Sequence, residues 1–187
     1  MGFSPPTMVM ESSELLLIPE GRATSNATRT AATTYDGSAF ILRRGIVFNR
    51  IRFRAVSSTG SPTVSVVIYQ VPGGHGSGTA RLKASAHEIA ISGAANHEVT
   101  PSEGSVLLEP GLCFVLFGRD SATGNATLRT YTIQPMDLHT ANVASDAHPT
   151  TFTMAFTAGS PPSTFNPATE TTASALDLAL TVRLKKV

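Results

Sequence analysis

The sequence predicts an all-β fold, a jelly-roll-like antiparallel β-sandwich of about eight to ten strands with an extended N-terminal arm. Three observations carry that expectation. Ala, Thr, Ser and Gly dominate the 187 residues, only 14% are charged, and long-chain helix formers are scarce. The abundant Thr, Val and Ile lose side-chain entropy in helices but fit a pleated sheet. From Phe40 onward the hydrophobic period is two, and no segment sustains helical spacing. Clusters of Gly, Pro and Ser break the chain at short intervals. A hydrophobic content of 41% supplies a core for one domain of this length, which excludes a coiled coil and wholesale disorder.

Residues 1–39 read as the arm. They hold an apolar start with Pro5-Pro6, a short strand candidate at Glu14 to Ile18, and a Thr/Ala/Ser tract from Gly21 to Ser38 with few large apolar side chains. Such a tract buries too little surface to fold alone, so it is expected to lie on a neighbour or on its own domain. Residues 40–187 read as the sandwich. Val47, Asn49, Ile51, Phe53 and Ala55 fall on one face of the first strand, and Phe48, Arg50, Arg52 and Arg54 on the other. After a turn at Ser57 to Pro62, Thr63 to Val71 points Val64, Val66 and Ile68 inward. A Gly-rich loop over Pro72 to Gly78 precedes strands at Arg81 to Ala84, His87 to Ile91 and Ser105 to Leu108. Glu109-Pro110-Gly111 then turns into Leu112 to Phe117, whose unbroken hydrophobicity marks a strand buried on both faces or central in a sheet. Strands follow at Thr127 to Ile133 and Thr151 to Thr157. A further strand closes the chain, in which Leu176, Leu178, Leu180, Val182 and Leu184 alternate with Asp177, Ala179, Thr181, Arg183 and Lys185. The long connections at Gln134 to Thr150 and Ala158 to Ala175 favour Greek-key crossing over tight hairpins.

Several chemistries find no support. The net charge of +1 gives no field to hold nucleic acid or an anionic membrane, and no apolar run reaches the roughly 18 residues of a membrane helix. The start lacks a secretion signal and fails the myristoylation pattern at Pro6, so a soluble product made in the cytoplasm is expected. The Asn26 and Asn125 sequons then read as chance in a Thr-rich chain. Cys113 sits in an apolar run without a neighbouring base and reads as a small buried hydrophobe. Gly73 to Thr79 lacks the Lys and the following helix of a phosphate loop, and His75 stands where a nucleophile elbow needs Gly. His75, His87, His97, His139 and His148 show no close metal-ligand spacing and read as solvated, although His139 and His148 flank one loop that could hold an ion between subunits. Asp36, Asp120, Asp137, Asp146 and Asp177 are dispersed over turn-like or alternating positions. No catalytic residue, cofactor or metal site is nominated, and no enzyme activity is expected.

One local asymmetry is basic. Arg43, Arg44, Arg50, Arg52 and Arg54 fall in an acid-free stretch, and Arg183, Lys185 and Lys186 end the chain. Arg50, Arg52 and Arg54 share a strand face, as do Arg183 and Lys185. Two basic stripes of this kind read either as a solvated outer face that guards against edge pairing, or as a docking surface for an acidic partner.

The succession Asn49-Arg50-Ile51-Arg52-Phe53, Val66-Val67-Ile68-Tyr69-Gln70 and Leu107 to Phe117, closing on an alternating Leu-rich strand, resembles small β-sandwich structural proteins of tailed bacteriophages. The likeness is to jelly-roll modules of head decoration (cement) proteins and of tail fibres, over roughly residues 40 to 187. The resemblance implies a non-enzymatic virion protein, commonly a homotrimer, that binds its own copies and the major capsid protein. The short chain and its arm favour the head version. The alternative is a carbohydrate-binding or receptor-binding module of a tail fibre or spike. Such a module would stack sugars on exposed aromatics, for which Tyr35, Tyr69 and Tyr131 are the candidates in a chain without Trp.

Overall fold

A computed structural model describes residues 10–11, 14–17, 24–29, 34–42, 44–73, 78–120, 123–132, 151–155, 159–167, 172–173, 178–180 and 182–187. In chain order its strands are β1 (Met10–Glu11), β2 (Glu14–Leu17), β3 (Thr24–Arg29), β4 (Thr34–Leu42), β5 (Ile46–Thr59) and β6 (Thr63–Gln70). They continue with β7 (Ala80–Ala90), β8 (Ala95–Val99), β9 (Val106–Leu108), β10 (Gly111–Arg119) and β11 (Asn125–Thr132). The chain ends in β12 (Thr151–Ala155), β13 (Thr164–Phe165), β14 (Thr172–Ala173), β15 (Leu178–Leu180) and β16 (Val182–Lys186).

The fold is an all-β antiparallel sandwich. One sheet runs β13-β7-β6-β10-β4-β12-β14; the other is organised around β5 and β11, with the path β1-β2-β16-β5-β11-β15 and with β8, β9 and β3 on their remaining edges. Successive strands β4, β5 and β6 alternate between the sheets, and β10 inserts between β6 and β4. The β4–β5 and β5–β6 crossings run through short connections, whereas the long connection Gln134 to Thr150 on which the Greek-key expectation rested lies outside the described residues.

Between the sheets lies the main core. Val64, Val66 and Ile68 of β6 and Cys113, Val115 and Phe117 of β10 meet Ile51, Phe53 and Ala55 of β5, Leu128 of β11 and Leu184 of β16. The other face of β10 is covered as well. Phe114 and Leu116 pack with Tyr35, Val67, Tyr69, Met154 and Phe165 in a second cluster. Phe165 makes edge contacts with Tyr69, ring centroids 4.7 Å apart, and with Phe114 at 5.4 Å. Burial on both faces explains why Leu112 to Phe117 carries no polar alternation. Cys113 is buried between them, and that burial pushes its thiol pKa up to about 12, so the residue acts as a packing group.

Three features differ from the sequence reading. Among the described residues sixteen strand segments stand where about eight to ten were expected, because short edge pieces such as β13 and β14 carry no periodic signal of their own. The two strands placed at Arg81 to Ala84 and His87 to Ile91 join into β7, which stays continuous by absorbing irregularities opposite β6. In β5 the alternation changes phase: Phe48 is fully buried and Val47 is 45% exposed, the reverse of the expected faces. The cause is a bulge, since Lys185 pairs with Arg50 while Lys186 pairs with Phe48, leaving Asn49 as the extra residue. Residue 39, where the arm was expected to end, lies within β4, which is hydrogen-bonded to β10 along its length and to β12 over Thr34 to Ser38. The described parts of the arm belong to the chain's own sheets: β2 pairs with β16 and β3 with β11.

Gly118 marks the tightest point of this packing. A Cβ there would lie 2.7 Å from Cγ of the buried Tyr35 ring. Gly118→Ala is therefore expected to cost about 1–3 kcal/mol through overpacking, read as a lower urea midpoint at unchanged slope. An unchanged midpoint would show that the ring moves aside freely.

Candidate functional site

Beyond the bulge, β5 points Ile51, Phe53 and Ala55 into the core and leaves Arg50, Arg52 and Arg54 on the outer face of its sheet. Neighbouring strands complete that face. On one edge β8 sets Glu98 opposite Arg52 and Asn96 opposite Arg54; on the other β16 sets Lys185 opposite Arg50 and Arg183 opposite Arg52. Arg129 joins from β11, where Leu128 and Thr130 take the inward positions.

Glu98 is the carboxylate around which these cations gather. Arg52 Nε donates to its Oε2 at 2.5 Å, and an Nη of Arg52 reaches the same oxygen. Arg50 Nε lies 3.6 Å and Lys185 Nζ 3.8 Å from the other oxygen. The hydrogen bond from Arg52, then the charges of Arg52, Lys185 and Arg50, hold the Glu98 carboxyl below the usual carboxylate range. Arg50 also donates to the Asn49 carbonyl at 2.9 Å, at the bulge. Arg54 contacts the Asn96 side-chain oxygen at 3.3 Å. Among the described residues, neither Arg54 nor Arg129 reaches a carboxylate.

A cleft of about 510 Å³ opens at this end of the face, lined by Arg52, Phe53, Arg54, Asn96, His97, Glu98 and Arg129. His97 stacks on Phe53, ring centroids 5.2 Å apart and 14° from parallel. Burial lowers its pKa below the ordinary value of 6.5, and its Nε2 is buried without a hydrogen-bond partner. His97 is thus not the solvated strand-end residue that the sequence led us to expect.

The basic row is brought together as the period of two required, but it is not a row of free guanidiniums. Glu98 was missed because it is 46 residues from Arg52, on a strand no local pattern ties to β5. Arg129 was missed for the same reason. Arg44 lies exposed in the β4–β5 connection, and Arg43 lies outside the described residues. Residues Gly74 to Ser77, His139 and His148 also lie outside them. Among the described residues, no group of three His, Cys, Asp or Glu side chains is placed to hold a metal ion.

A second polar cluster centres on Asp120, one of the carboxylates read from sequence as dispersed. Tyr35 donates its hydroxyl to Oδ1 at 2.5 Å, Ser65 donates to Oδ2, and the backbone N–H groups of Glu88 and Gly159 donate at 2.9 and 3.2 Å. His87 Nδ1 lies 2.7 Å from Ser65 Oγ. A nucleophile relay needs the imidazole between acid and hydroxyl. Here the hydroxyl stands between them and Ser65 is fully buried, so the arrangement braces strands instead of exposing a nucleophile. The same contacts correct the glycan candidates. Tyr35 and Tyr69 are both fully buried, with Tyr69 donating to the Pro162 carbonyl at 2.8 Å, so neither offers a stacking face. The side chain of Tyr131 is outside the described residues.

No protein-family model matches the chain, and no curated protein matches it. A solved structure of a clostridial cysteine protease, after propeptide cleavage, is similar at 13% identity and a TM-score of 0.46. The match covers 95% of this chain, which spans 41% of the length of that protein.

Removing the Asp120 carboxylate leaves four donors without their acceptor. Asp120→Ala is expected to lower stability by about 3 kcal/mol in chemical denaturation, and a loss under about 1 kcal/mol would contradict the bracing role. His97 gives a pH dependence of definite sign. Its folded-state pKa is depressed, so the unfolded chain takes up the proton first, and this part of the stability is present above about 6.5 and lost as pH falls toward the folded value. The drop in Tm between about pH 7.5 and pH 5.5 should therefore be smaller in His97→Gln than in the parent. Equal drops in the two proteins would refute it.

Proposed function

We propose that this chain is a non-enzymatic structural protein of a bacteriophage virion, a head decoration protein that docks onto the major capsid protein through the cationic outer face of the β5 sheet. The observation that carries the reading is the charge balance of that face: Arg50, Arg52 and Lys185 gather around Glu98, Arg54 and Arg129 line the cleft beside it, and Glu14 of β2 stands opposite Lys185 in register. A chain with a net charge of only +1 that concentrates its cations on one rigid sheet offers a local surface for an acidic protein. Exposed Val47 and Leu107, paired across β5 and β9 at the end of the same sheet, add apolar area of the kind that contacts between subunits use. Decoration needs only modest affinity per copy, because many copies and self-association, as a homotrimer in this reading, make the array stable. The carbohydrate-binding alternative loses Tyr35 and Tyr69 as sugar platforms.

The triple variant Arg50→Ser, Arg52→Ser, Arg54→Ser is expected to bind undecorated heads at least about tenfold more weakly than the parent, a loss of about 1.4 kcal/mol or more. Cosedimentation with heads measures this. Unchanged binding overturns the docking face, and a count of only a few copies per particle overturns decoration in favour of a fibre.

A further inference from the structure

The basic row is uneven, and its unevenness says where a partner would bind. In its middle, Arg50, Arg52 and Lys185 all lie within 4 Å of Glu98 and share its charge. At the β8 end, among the described residues, Arg54 meets the Asn96 amide and no carboxylate, and Arg129 lines the same cleft, a concave site of about 510 Å³. At the other end of β5 lies an apolar patch. Val47 is 45% and Leu107 52% exposed, and Val187, 75% exposed, donates its backbone N–H to the Val47 carbonyl at 3.3 Å.

Resting on the docking reading above, we infer that this face grips an acidic protein partner at its two ends: a partner carboxylate seats in the cleft against Arg54 and Arg129, and an apolar side chain of the same partner covers Val47, Leu107 and Val187. The seven steps along the strand from Val47 to Arg54 set the two contacts about 20 Å apart, allowing for the bulge. Charge complementarity selects the carboxylate, because a planar guanidinium fork matches a carboxylate at two points and these two forks have no carboxylate of their own. A nucleic acid or sulfated glycan fits less well. Such polyanions follow a continuous positive track, and Glu98 interrupts this one with a negative charge at its centre. The apolar patch offers nothing to a phosphate or a sulfate but buries well against a protein side chain. The middle of the row is thus a partly neutralised spacer, and Arg50 and Arg52 matter less to binding than their number suggests.

The test uses two double variants, Arg54→Ser with Arg129→Ser and Arg50→Ser with Arg52→Ser, each first checked for an unchanged far-UV spectrum and thermal midpoint. Hexa-L-glutamate serves as the carboxylate probe and a heparin hexasaccharide as the sulfated one, with arginine Nε–H signals followed by NMR. Hexaglutamate is expected to shift the Arg54 and Arg129 signals most, and its Kd is expected to rise at least about fivefold in the first variant and less than about twofold in the second. Shifts centred on Arg50 and Arg52, equal losses in both variants, no binding of hexaglutamate, or tighter binding of the heparin fragment would each overturn the inference, the last in favour of a glycan. Head cosedimentation separates this outcome from failure of docking itself. If the first variant binds heads like the parent while the Arg50, Arg52, Arg54 triple variant does not, the end-gripping inference fails and the docking face stands. If both bind like the parent, the docking face falls. Val47→Ser with Leu107→Ser should weaken head binding while leaving the hexaglutamate Kd unchanged.

Discussion

The structure depends on how Asp120 closes one end of the β10 sheet. Strands β6 and β7 cannot stay in simple register there, because Val64 pairs with Ile89 and Val66 with Ala86, so His87 and Glu88 together face Ser65. The bulge puts Glu88 at φ 54, a left-handed conformation that a side chain with a Cβ rarely adopts. A conformation of that kind costs about 1 kcal/mol or more and persists only where surrounding contacts over-determine it. Asp120 supplies the contact by accepting the Glu88 N–H, while its other bonds tie in β4 through Tyr35, β6 through Ser65 and the 159–167 segment through Gly159. One carboxylate thereby fixes the strands that carry both cores.

The second core follows from that brace. A sheet with helix-free surroundings ordinarily exposes one face, yet here Phe114 and Leu116 are buried outward as completely as Val115 and Phe117 are inward. Covering them takes Phe165 and Met154 from late in the chain, and Tyr35 from its early part. Tyr35 fits because Gly118 opposite it has no side chain, so the ring lies against the backbone of β10 and its hydroxyl reaches Asp120. Burial, and then the Asp120 hydrogen bond and charge, keep that phenol protonated far above its ordinary range, so it remains a donor at any physiological pH. Both faces of this sheet are thus packed around β10, whereas among the described residues the outer side of the β5 sheet presents exposed charged side chains.

Local pattern made part of this legible. The inward set Val64, Val66 and Ile68, the two-sided burial of Leu112 to Phe117 and the inert Cys113 were readable because each depends on period or on composition within one strand. The phase change at Asn49 was not, since a bulge is fixed by the partner strand β16, more than a hundred residues away, and leaves no mark in the hydrophobic count. The strand β4 was hidden because its inward residues include Asp36 and Ser38, which are buried polar groups; Thr153 donates to Asp36 at 2.8 Å across the β4–β12 pair. Glu98, Arg129 and the Asp120 cluster share that obstacle. Each acquires its role from partners that only the sheet order brings together, so spacing along the chain carries no trace of them.

The placement of Glu98 also resolves a tension within the basic face. Arg52 and Arg183 stand directly opposite one another in register, as do Arg50 and Lys185, and like charges so placed destabilise a sheet. One carboxylate from β8 relieves most of that repulsion for the cations that reach it, and because all of them remain substantially exposed the gain is modest and falls with salt. What it cannot relieve is the charge of Arg54 and Arg129, which lie beyond its reach. The Glu98 charge is thus spent on the crowded middle of the row, and the two guanidiniums that lie beyond its reach are those at the cleft. In the proposed docking, that arrangement places the attraction for an acidic partner at one end of the row and not along its whole length.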